Sequence, residues 1–91
     1  MFEWDAKKAV ANLAKHGMAF DAIHDFDWET CVEAEDDRFD YGEHRFVAIG
    51  WLNGELHTVT FTWRGDIIRI ISIRKADKRD RRAYARAKEK A

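Results

Sequence analysis

The sequence predicts an α+β fold in which helices cover one side of an antiparallel β-sheet. Three observations support this fold class. Residues 6–14 carry apolar side chains at helical spacing, residues 44–75 contain three runs rich in branched and aromatic residues, and a polar, basic segment follows Asp77. Strands that follow one another through short turns form a meander, and the flanking helices bury its apolar face.

The first part of the chain is predicted to form a short strand and two helices. Phe2–Trp4 has the aromatic content of a brief strand. Asp5 is a typical N-cap and Gly17 a typical glycine stop, so one helix is expected between them. A second, shorter helix that ends near residue 27 is predicted from four apolar residues at helical spacing, Ala19, Ala22, Ile23 and Phe26.

Four strands are predicted after these helices, at residues 30–35, 44–52, 55–63 and 67–75. An acidic loop at residues 36–42 separates the first two strands. Asn53 and Gly54 predict a tight hairpin between the next two, because both central residues of a type I′ turn need positive φ. A further turn is expected at residues 64–66, and the final helix is expected to start at Asp77.

The composition indicates one cytoplasmic domain that spans residues 1–91. The chain has 46% hydrophobic and 13% aromatic residues and no proline. No apolar run approaches the roughly 20 residues that span a bilayer, and no signal peptide is visible, so no membrane association is expected. Cys31 is the only cysteine, so it cannot form an internal disulfide and is expected to be a small core residue.

Charge is distributed very unevenly along the chain. Residues 64–91 hold 11 Lys and Arg and 4 Asp and Glu, a net charge of +7, whereas residues 1–63 hold 5 and 13, a net charge of −8. Such an asymmetry favours nucleic-acid binding by the basic half. The plainer alternative is a solvated helix with local salt bridges.

Several kinds of site lack support. No HxH, CxxC or HExxH motif is present, and none of the four histidines has the spacing of a metal-ligand pair; they are His16, His24, His44 and His57. Ser72 is the only serine, lies inside a predicted strand and has no glycine-rich elbow around it. Glycine-rich phosphate loops are absent as well. No metal or other cofactor is therefore expected.

Phosphodiester cleavage without a metal remains possible for these residue types. RNA can be cut through its own 2′-hydroxyl with a base, a cation for the charge on the phosphorane and an acid for the leaving oxygen. The candidate catalytic residues are Arg64, Arg74, Lys75 and Tyr84. The candidate RNA-binding residues are Arg69, Arg79 and Arg82. Arg64 and Arg74 are expected to stabilise phosphate, and Lys75 or Tyr84 to exchange protons.

Five short segments also match, in order, the pattern of a known family. They are residues 2–5 (FEWD) with Lys8 and Asn12, residues 15–17 (KHG) with Phe20, Glu43 with residues 45–46 (RF) and 49–50 (IG), Thr62 with Arg64, and residues 69–72 (RIIS) with Arg74, Ala76 and Tyr84. In this combination the chain resembles the BrnT toxins of bacterial type II toxin–antitoxin modules. It departs from them at Asp80, where many members have glutamate.

The resemblance implies a RelE-like fold and an endoribonuclease toxin that stops translation. It also implies a partner, a BrnA-type antitoxin that holds the toxin inactive, in a complex assembled from toxin and antitoxin dimers. A homodimer within that complex is therefore expected. The alternative function, from a different class, is a non-catalytic module whose basic C-terminal helix binds nucleic acid or an acidic protein.

Two residue types have competing interpretations. His16 belongs to the family pattern, yet it precedes a glycine at a helix C-terminus, where a charged imidazole is favoured by the helix dipole. We therefore expect a structural role for it. The four tryptophans, Trp4, Trp28, Trp51 and Trp63, are expected in the core or in the antitoxin interface, with Trp63 beside Arg64 left open as a surface for base stacking.

Overall fold

The computed structural model describes residues 1–38 and 40–90, which form a five-stranded sheet, two α-helices and a short 3-10 helix. In chain order the elements are β1 (Phe2–Trp4), α1 (Ala6–His16), the 3-10 helix (Phe20–Asp25), β2 (Val32–Asp36), β3 (Arg45–Leu52), β4 (Glu55–Arg64), β5 (Ile67–Lys75) and α2 (Lys78–Glu89). Within the described residues, no helix combines the length and apolar character that crossing a bilayer requires.

The sheet is mixed, with the strand order β1-β5-β4-β3-β2. β2 to β5 form the predicted antiparallel meander, but β1 pairs parallel to β5. The prediction of a purely antiparallel sheet is therefore wrong at this edge. Parallel neighbours need a long connection, and here it is almost the whole chain, so no local turn signal reveals the pairing.

The predicted first helix is confirmed together with both of its caps. The Asp5 carboxylate accepts hydrogen bonds from the backbone N–H groups of Lys7 at 2.8 Å and Lys8 at 3.1 Å. Gly17 ends the helix with a φ of 69° and donates its N–H to the carbonyl oxygen of Leu13. Both ends of α1 are thus set by side chains and backbone geometry that the sequence alone specifies.

The second predicted helix has a different type and shorter bounds. It is a 3-10 helix at Phe20–Asp25, followed by Phe26, which forms an isolated bridge with Leu52. The three largest apolar residues of the segment, Phe20, Ile23 and Phe26, are all buried. They recur every three residues, which matches the three residues per turn of a 3-10 helix and explains why the tighter helix forms.

Helices cover both sides of the sheet, so the prediction of helices on one side is wrong. The core face of the sheet packs against the 3-10 helix through buried strand residues, Ala48, Val59, Phe61, Ile70 and Ile73. The opposite face, here called the open face, is covered at one end by α2, where Tyr84 packs in a second cluster with Ile49 and Leu56. β3 is apolar on both faces, and its odd-numbered residues provide the surface on which α2 packs.

A β-bulge in β5 decides which side chains reach the open face. Ser72 pairs with Thr60 and Ile70 pairs with Phe61, so Ile71 is an extra residue in β5. Without it, Ile70 and Ile73 would lie on opposite faces, because side chains alternate along a strand. Both instead belong to the core cluster. The bulge equally brings Arg69 and Arg74 to one face, the open face.

Asn12 joins α1 to the free edge of β5 beyond the end of β1. Its amide nitrogen donates to the carbonyl oxygens of Ile73 and Met18, both at 2.9 Å, and its amide oxygen accepts from the Ile73 N–H at 3.2 Å. The residue is only 6% exposed. Its side chain therefore continues the ladder of hydrogen bonds that β1 begins.

Cys31 lies half-buried against the core face, and its thiol donates to the carbonyl oxygen of Trp28 at 3.2 Å. Burial, with the nearby charges of Glu33 and Asp27, raises the pKa of Cys31 to about 11. The thiol is therefore protonated at neutral pH, in keeping with a packing role.

We expect Asn12→Ala to lower the free energy of unfolding by about 2–4 kcal/mol, because it leaves the N–H and carbonyl of Ile73 and the carbonyl of Met18 without their partner. Urea denaturation followed by circular dichroism measures the change. The matched control is Lys7→Ala on the exposed side of the same helix, which should change stability by less than about 0.5 kcal/mol. Equal stability of the two variants would show that Asn12 does not hold α1 to the sheet.

Candidate active site

Three of the predicted arginines lie on the open face, and each has an acidic partner. The Arg64 guanidinium lies 3.3 Å from Glu43, and Arg69 pairs with Glu3 of β1. Arg74 donates to Asp80 of α2 at 2.6 Å. The bulge brings Arg69 and Arg74 to the same face. The ion pairs with Glu43, Glu3 and Asp80 partly neutralise the three arginines.

The remaining predicted cations lie elsewhere. Strand alternation places Lys75 on the side of β5 opposite to Arg74, where its ammonium lies 3.2 Å from Glu55. Arg79 and Arg82 are exposed on α2. The structure therefore does not bring all the predicted cations into one cluster.

Tyr84 anchors α2 to the sheet. Its hydroxyl accepts a hydrogen bond from the Trp51 indole N–H at 3.1 Å, and the two rings meet edge to face. Its ring also packs in the cluster with Ile49 and Leu56. These contacts account for Tyr84 as a packing residue and give Trp51 its position on the surface.

A basic pocket opens where α1 meets the open face. It has a volume of about 330 Å³ and is lined by Lys8, Ala11, Asn12, Lys15, His16, Arg45, Ile71 and Ser72. Among these described lining residues three are cationic at neutral pH and none is a carboxylate. Such a lining favours an anion the size of a phosphate group.

Three elements build this basic pocket. α1 supplies Lys8, Lys15 and His16 from one side of the helix, since residues seven and eight apart lie two turns along the same stripe. β3 supplies Arg45 from its odd-numbered, open face. β5 supplies Ser72, the first residue after the bulge. The pocket therefore depends on the attachment of α1 to the β5 edge.

Arg45 is partly buried and incompletely paired. Its side chain is 22% exposed, and its guanidinium lies 4.1 Å above the Tyr41 ring. Its Nε atom is buried with no hydrogen-bond acceptor in the described part of the chain; the Glu43 carboxylate is 3.6 Å away. An unbonded, buried guanidinium N–H is costly, and the nearby Glu43 carboxylate offsets part of that cost.

His16 is held in its neutral form. Burial, together with the positive charges of Lys15 and Arg74, lowers the pKa of His16 below its usual 6.5. A neutral imidazole interacts weakly with a helix dipole, so the structure does not favour the expected charged-cap role. Gly17 instead closes the helix. A neutral histidine among cations is suited to accept a proton at neutral pH.

Arg74 is not among the described residues that line the basic pocket, but its charge reaches His16 and its side chain contacts α2. Asp80 closes the capping box at the start of α2 by accepting from the backbone N–H of Asp77 at 2.9 Å, and it binds Arg74 through the same oxygen. Burial raises the pKa of Asp80, but the hydrogen bonds from Arg74 and Asp77 outweigh it and hold the pKa below its usual value. The contacts that Arg74 makes within the described residues, to Lys75 O, Asp77 and Asp80, all use Nη1.

Reasoning from charge alone missed most of this pocket. Lys8, Lys15, His16 and Arg45 lie in the acidic half of the chain, where the net charge argues against nucleic-acid binding. Each of the four does fall within a segment that resembles the BrnT pattern. That resemblance was the one feature of the sequence that could have identified them as site residues. The pocket combines a neutral base with guanidinium and ammonium groups, a set that suits chemistry at a phosphate ester.

Comparison with protein families agrees with this chemistry. The model of a family described as "Ribonuclease toxin, BrnT, of type II toxin-antitoxin system" matches residues 4–80. The match ends at Asp80, so that Arg82 and Tyr84 lie beyond it. No curated protein matches the chain. Because the match covers well over half of the sequence, the chain belongs to the BrnT family of ribonuclease toxins of type II toxin–antitoxin systems.

Proposed function

We propose that this chain is a metal-independent endoribonuclease toxin that inhibits translation by cleaving RNA in the basic pocket. The observation that carries the proposal is the neutral His16, which lines the basic pocket together with Arg45 and Lys15 and feels the charge of Arg74. A base and fixed cations at one anion-binding site are the requirements for attack of a 2′-hydroxyl on the adjacent phosphorus.

In the proposed reaction, His16 takes the proton of the 2′-hydroxyl while the oxygen attacks phosphorus. The charge that develops on the non-bridging oxygens is stabilised by Arg45 and Arg74, which can each present a fork of N–H donors. Lys15 then gives a proton to the departing 5′-oxygen as the phosphorus–oxygen bond breaks. The products are a 2′,3′-cyclic phosphate and a free 5′-hydroxyl, so that protons and charges balance.

The other residues predicted from the sequence have secondary roles in this proposal. Arg69 on the open face and Arg79 and Arg82 on α2 guide the RNA backbone toward the pocket by their charge. Arg64, Lys75 and Tyr84 do not line the pocket, and their catalytic roles stay predictions. Ser72 lines the pocket and can donate a hydrogen bond to a phosphate oxygen.

The wider biology follows from the family. A type II toxin acts together with an antitoxin, and we propose that this partner is a BrnA-type protein that binds a homodimer of the toxin. We further propose that residues 1–91 act as one RelE-like domain in the cytoplasm, where the RNA substrate is found. The sheet with α1 at one edge and α2 across one face supports the RelE-like assignment.

The test of the function is cleavage of a synthetic RNA by the purified chain in EDTA. Scission that yields a 2′,3′-cyclic phosphate is expected, and a substrate with one 2′-deoxynucleotide at the cleaved position should resist cutting there. Binding of RNA without scission would favour the non-catalytic module. Scission of the 2′-deoxy substrate would exclude attack by the 2′-hydroxyl.

We expect His16→Gln to lower the rate constant of cleavage at neutral pH by about 100-fold or more, because the general base is removed. In the wild type the rate should fall only when the pH drops below about 6.5, since the lowered pKa keeps His16 neutral above that value. The variant should lose this acidic inflection. His24→Gln, which changes an exposed histidine on the 3-10 helix, is the control and should keep both rate and profile.

We expect Arg74→Ala to lower kcat/KM for RNA by about 100-fold, because a fixed donor to the charged transition state is lost. Arg81→Ala, at an exposed position of α2, should change it by less than about threefold. Arg74→Lys keeps the charge that balances Asp80 and tests whether the planar guanidinium is needed. Full activity of a folded Arg74→Ala protein would remove Arg74 from the site.

A further inference from the structure

Trp51 is an exposed aromatic residue that is nevertheless held in a fixed position. It is 42% exposed, and the alternation of β3 places it on the open face, beside α2. Its indole N–H donates to the Tyr84 hydroxyl at 3.1 Å, and the two ring planes meet at 82°. Because an indole N–H lies in the plane of the ring, this hydrogen bond fixes Trp51 by its edge and uses neither of its faces.

α2 brings positive charge to this ring. The Lys88 ammonium lies 5.4 Å from the centre of the Tyr84 ring, which also contacts Trp51. The helix carries six Lys and Arg against two acidic residues, and one of these two, Asp80, is bound to Arg74, so most of the positive charge is not balanced within the helix. Exposed cations of α2 that make no ion pair within the described residues include Arg79, Arg82, Arg86 and Lys88.

Asp27 borders the same surface and offsets part of its charge. Its backbone N–H donates to the carbonyl oxygen of Trp51 at 2.9 Å. Hydrogen bonds from Thr30 and Glu29, together with the charge of Lys88, lower the pKa of Asp27, so its carboxylate is ionised at neutral pH. That carboxylate accepts from the Thr30 hydroxyl and the Glu29 N–H. Lys88 is therefore attracted by Asp27 but forms no ion pair with it in the described part of the chain.

These features suit a single-stranded nucleic acid better than a protein partner. A protein interface is expected to have a contiguous apolar centre. Among the described residues the other exposed large apolar side chains lie elsewhere, Met1 before β1, Val10 and Leu13 on α1, and Trp63 at the far end of β4. An unpaired base needs only one flat ring for stacking, and the phosphates beside it need separate cations.

We propose that Trp51, Tyr84 and Lys88 form a nucleobase subsite, here called the Trp51 platform, in which a base of single-stranded RNA stacks on the indole while Lys88 binds a neighbouring phosphate. RNA as the ligand rests on the proposed function. The Trp51 platform shares no described lining residue with the basic pocket, so it is a separate contact for the same strand. Paired bases hide their faces, so the platform favours an unpaired strand and tolerates any base.

The experiment measures binding without cleavage. A fluorescent, unstructured RNA of about ten nucleotides, with every 2′-hydroxyl methylated, is titrated with the purified chain and followed by anisotropy. Trp51→Ala and Trp51→Phe are a matched pair, because both lose the hydrogen bond to Tyr84 and only phenylalanine keeps a ring for stacking. Trp51→Ala should weaken binding at least about fivefold, and Trp51→Phe should weaken it less. Trp63→Ala, at a side chain of similar exposure, should leave the affinity unchanged.

The salt dependence of binding separates stacking from a displacement of α2. For single strands the slope of log affinity against log salt concentration changes by about 0.7 for each phosphate contact. Lys88→Gln should therefore reduce the slope by about 0.7. Trp51→Ala should leave the slope unchanged, because the cations of α2 stay in place. A reduced slope for Trp51→Ala would show that the helix has moved, and would overturn the stacking role.

Other outcomes would also overturn the Trp51 platform. They are absence of binding by the wild type, unchanged affinity of Trp51→Ala, an equal loss for both Trp51 variants, and an equal loss for Trp63→Ala. Binding of the purified antitoxin that Trp51→Ala abolishes, with RNA binding unchanged, would assign this surface to a protein partner. Cleavage of unmethylated RNA is measured separately: a chain that binds RNA through Trp51 without cutting it would refute the proposed function and keep the platform.

Discussion

The geometry of the site depends on the extra residue in β5. Ile71 is accommodated by a bulge, so that the apolar residues on either side of it stay in the core while Arg69, Ser72 and Arg74 share the open face. A regular strand would bury one of the two arginines or expose one of the core isoleucines. Either outcome costs more than a bulge, which sacrifices little more than one pairing in the ladder.

The site also depends on the way its cations are balanced. Arg69 and Arg74 are held by Glu3 and Asp80, which fixes their guanidinium groups and removes part of the repulsion between them. Arg45 has the Glu43 carboxylate 3.6 Å away, whereas Lys8 and Lys15 have no ion pair with the described residues. The pocket therefore keeps a net positive charge, which attracts an anion.

Local signals in the sequence predicted the parts of the fold that depend on local physics. The capped first helix, the Asn53–Gly54 hairpin, the strands of the meander and the N-cap at Asp77 are all confirmed. The parallel pairing of β1, the placement of α2 on the opposite face and the bulge arise from contacts between distant parts of the chain, which no periodicity records. The 3-10 helix was missed because its spacing of three was taken for an ordinary helical stripe.

The site was less predictable than the fold for the same reason. Net charge directed attention to the basic C-terminal part. Of the candidates there, Arg74 is the one whose charge lowers the pKa of His16. The cations of α1 and Arg45 are scattered among acidic residues. Only the folded sheet brings them together, so a pattern shared with a family was the one signal in the sequence that could point to them.

The attachment of α1 to β5 has a consequence for when the toxin becomes active. Asn12 and Ile73 are 61 residues apart, and Glu3 and Arg69 are 66 apart. A ribosome therefore makes the α1 side of the pocket well before the β5 side exists. The pocket is therefore incomplete in any nascent chain that has not yet been extended as far as Ser72.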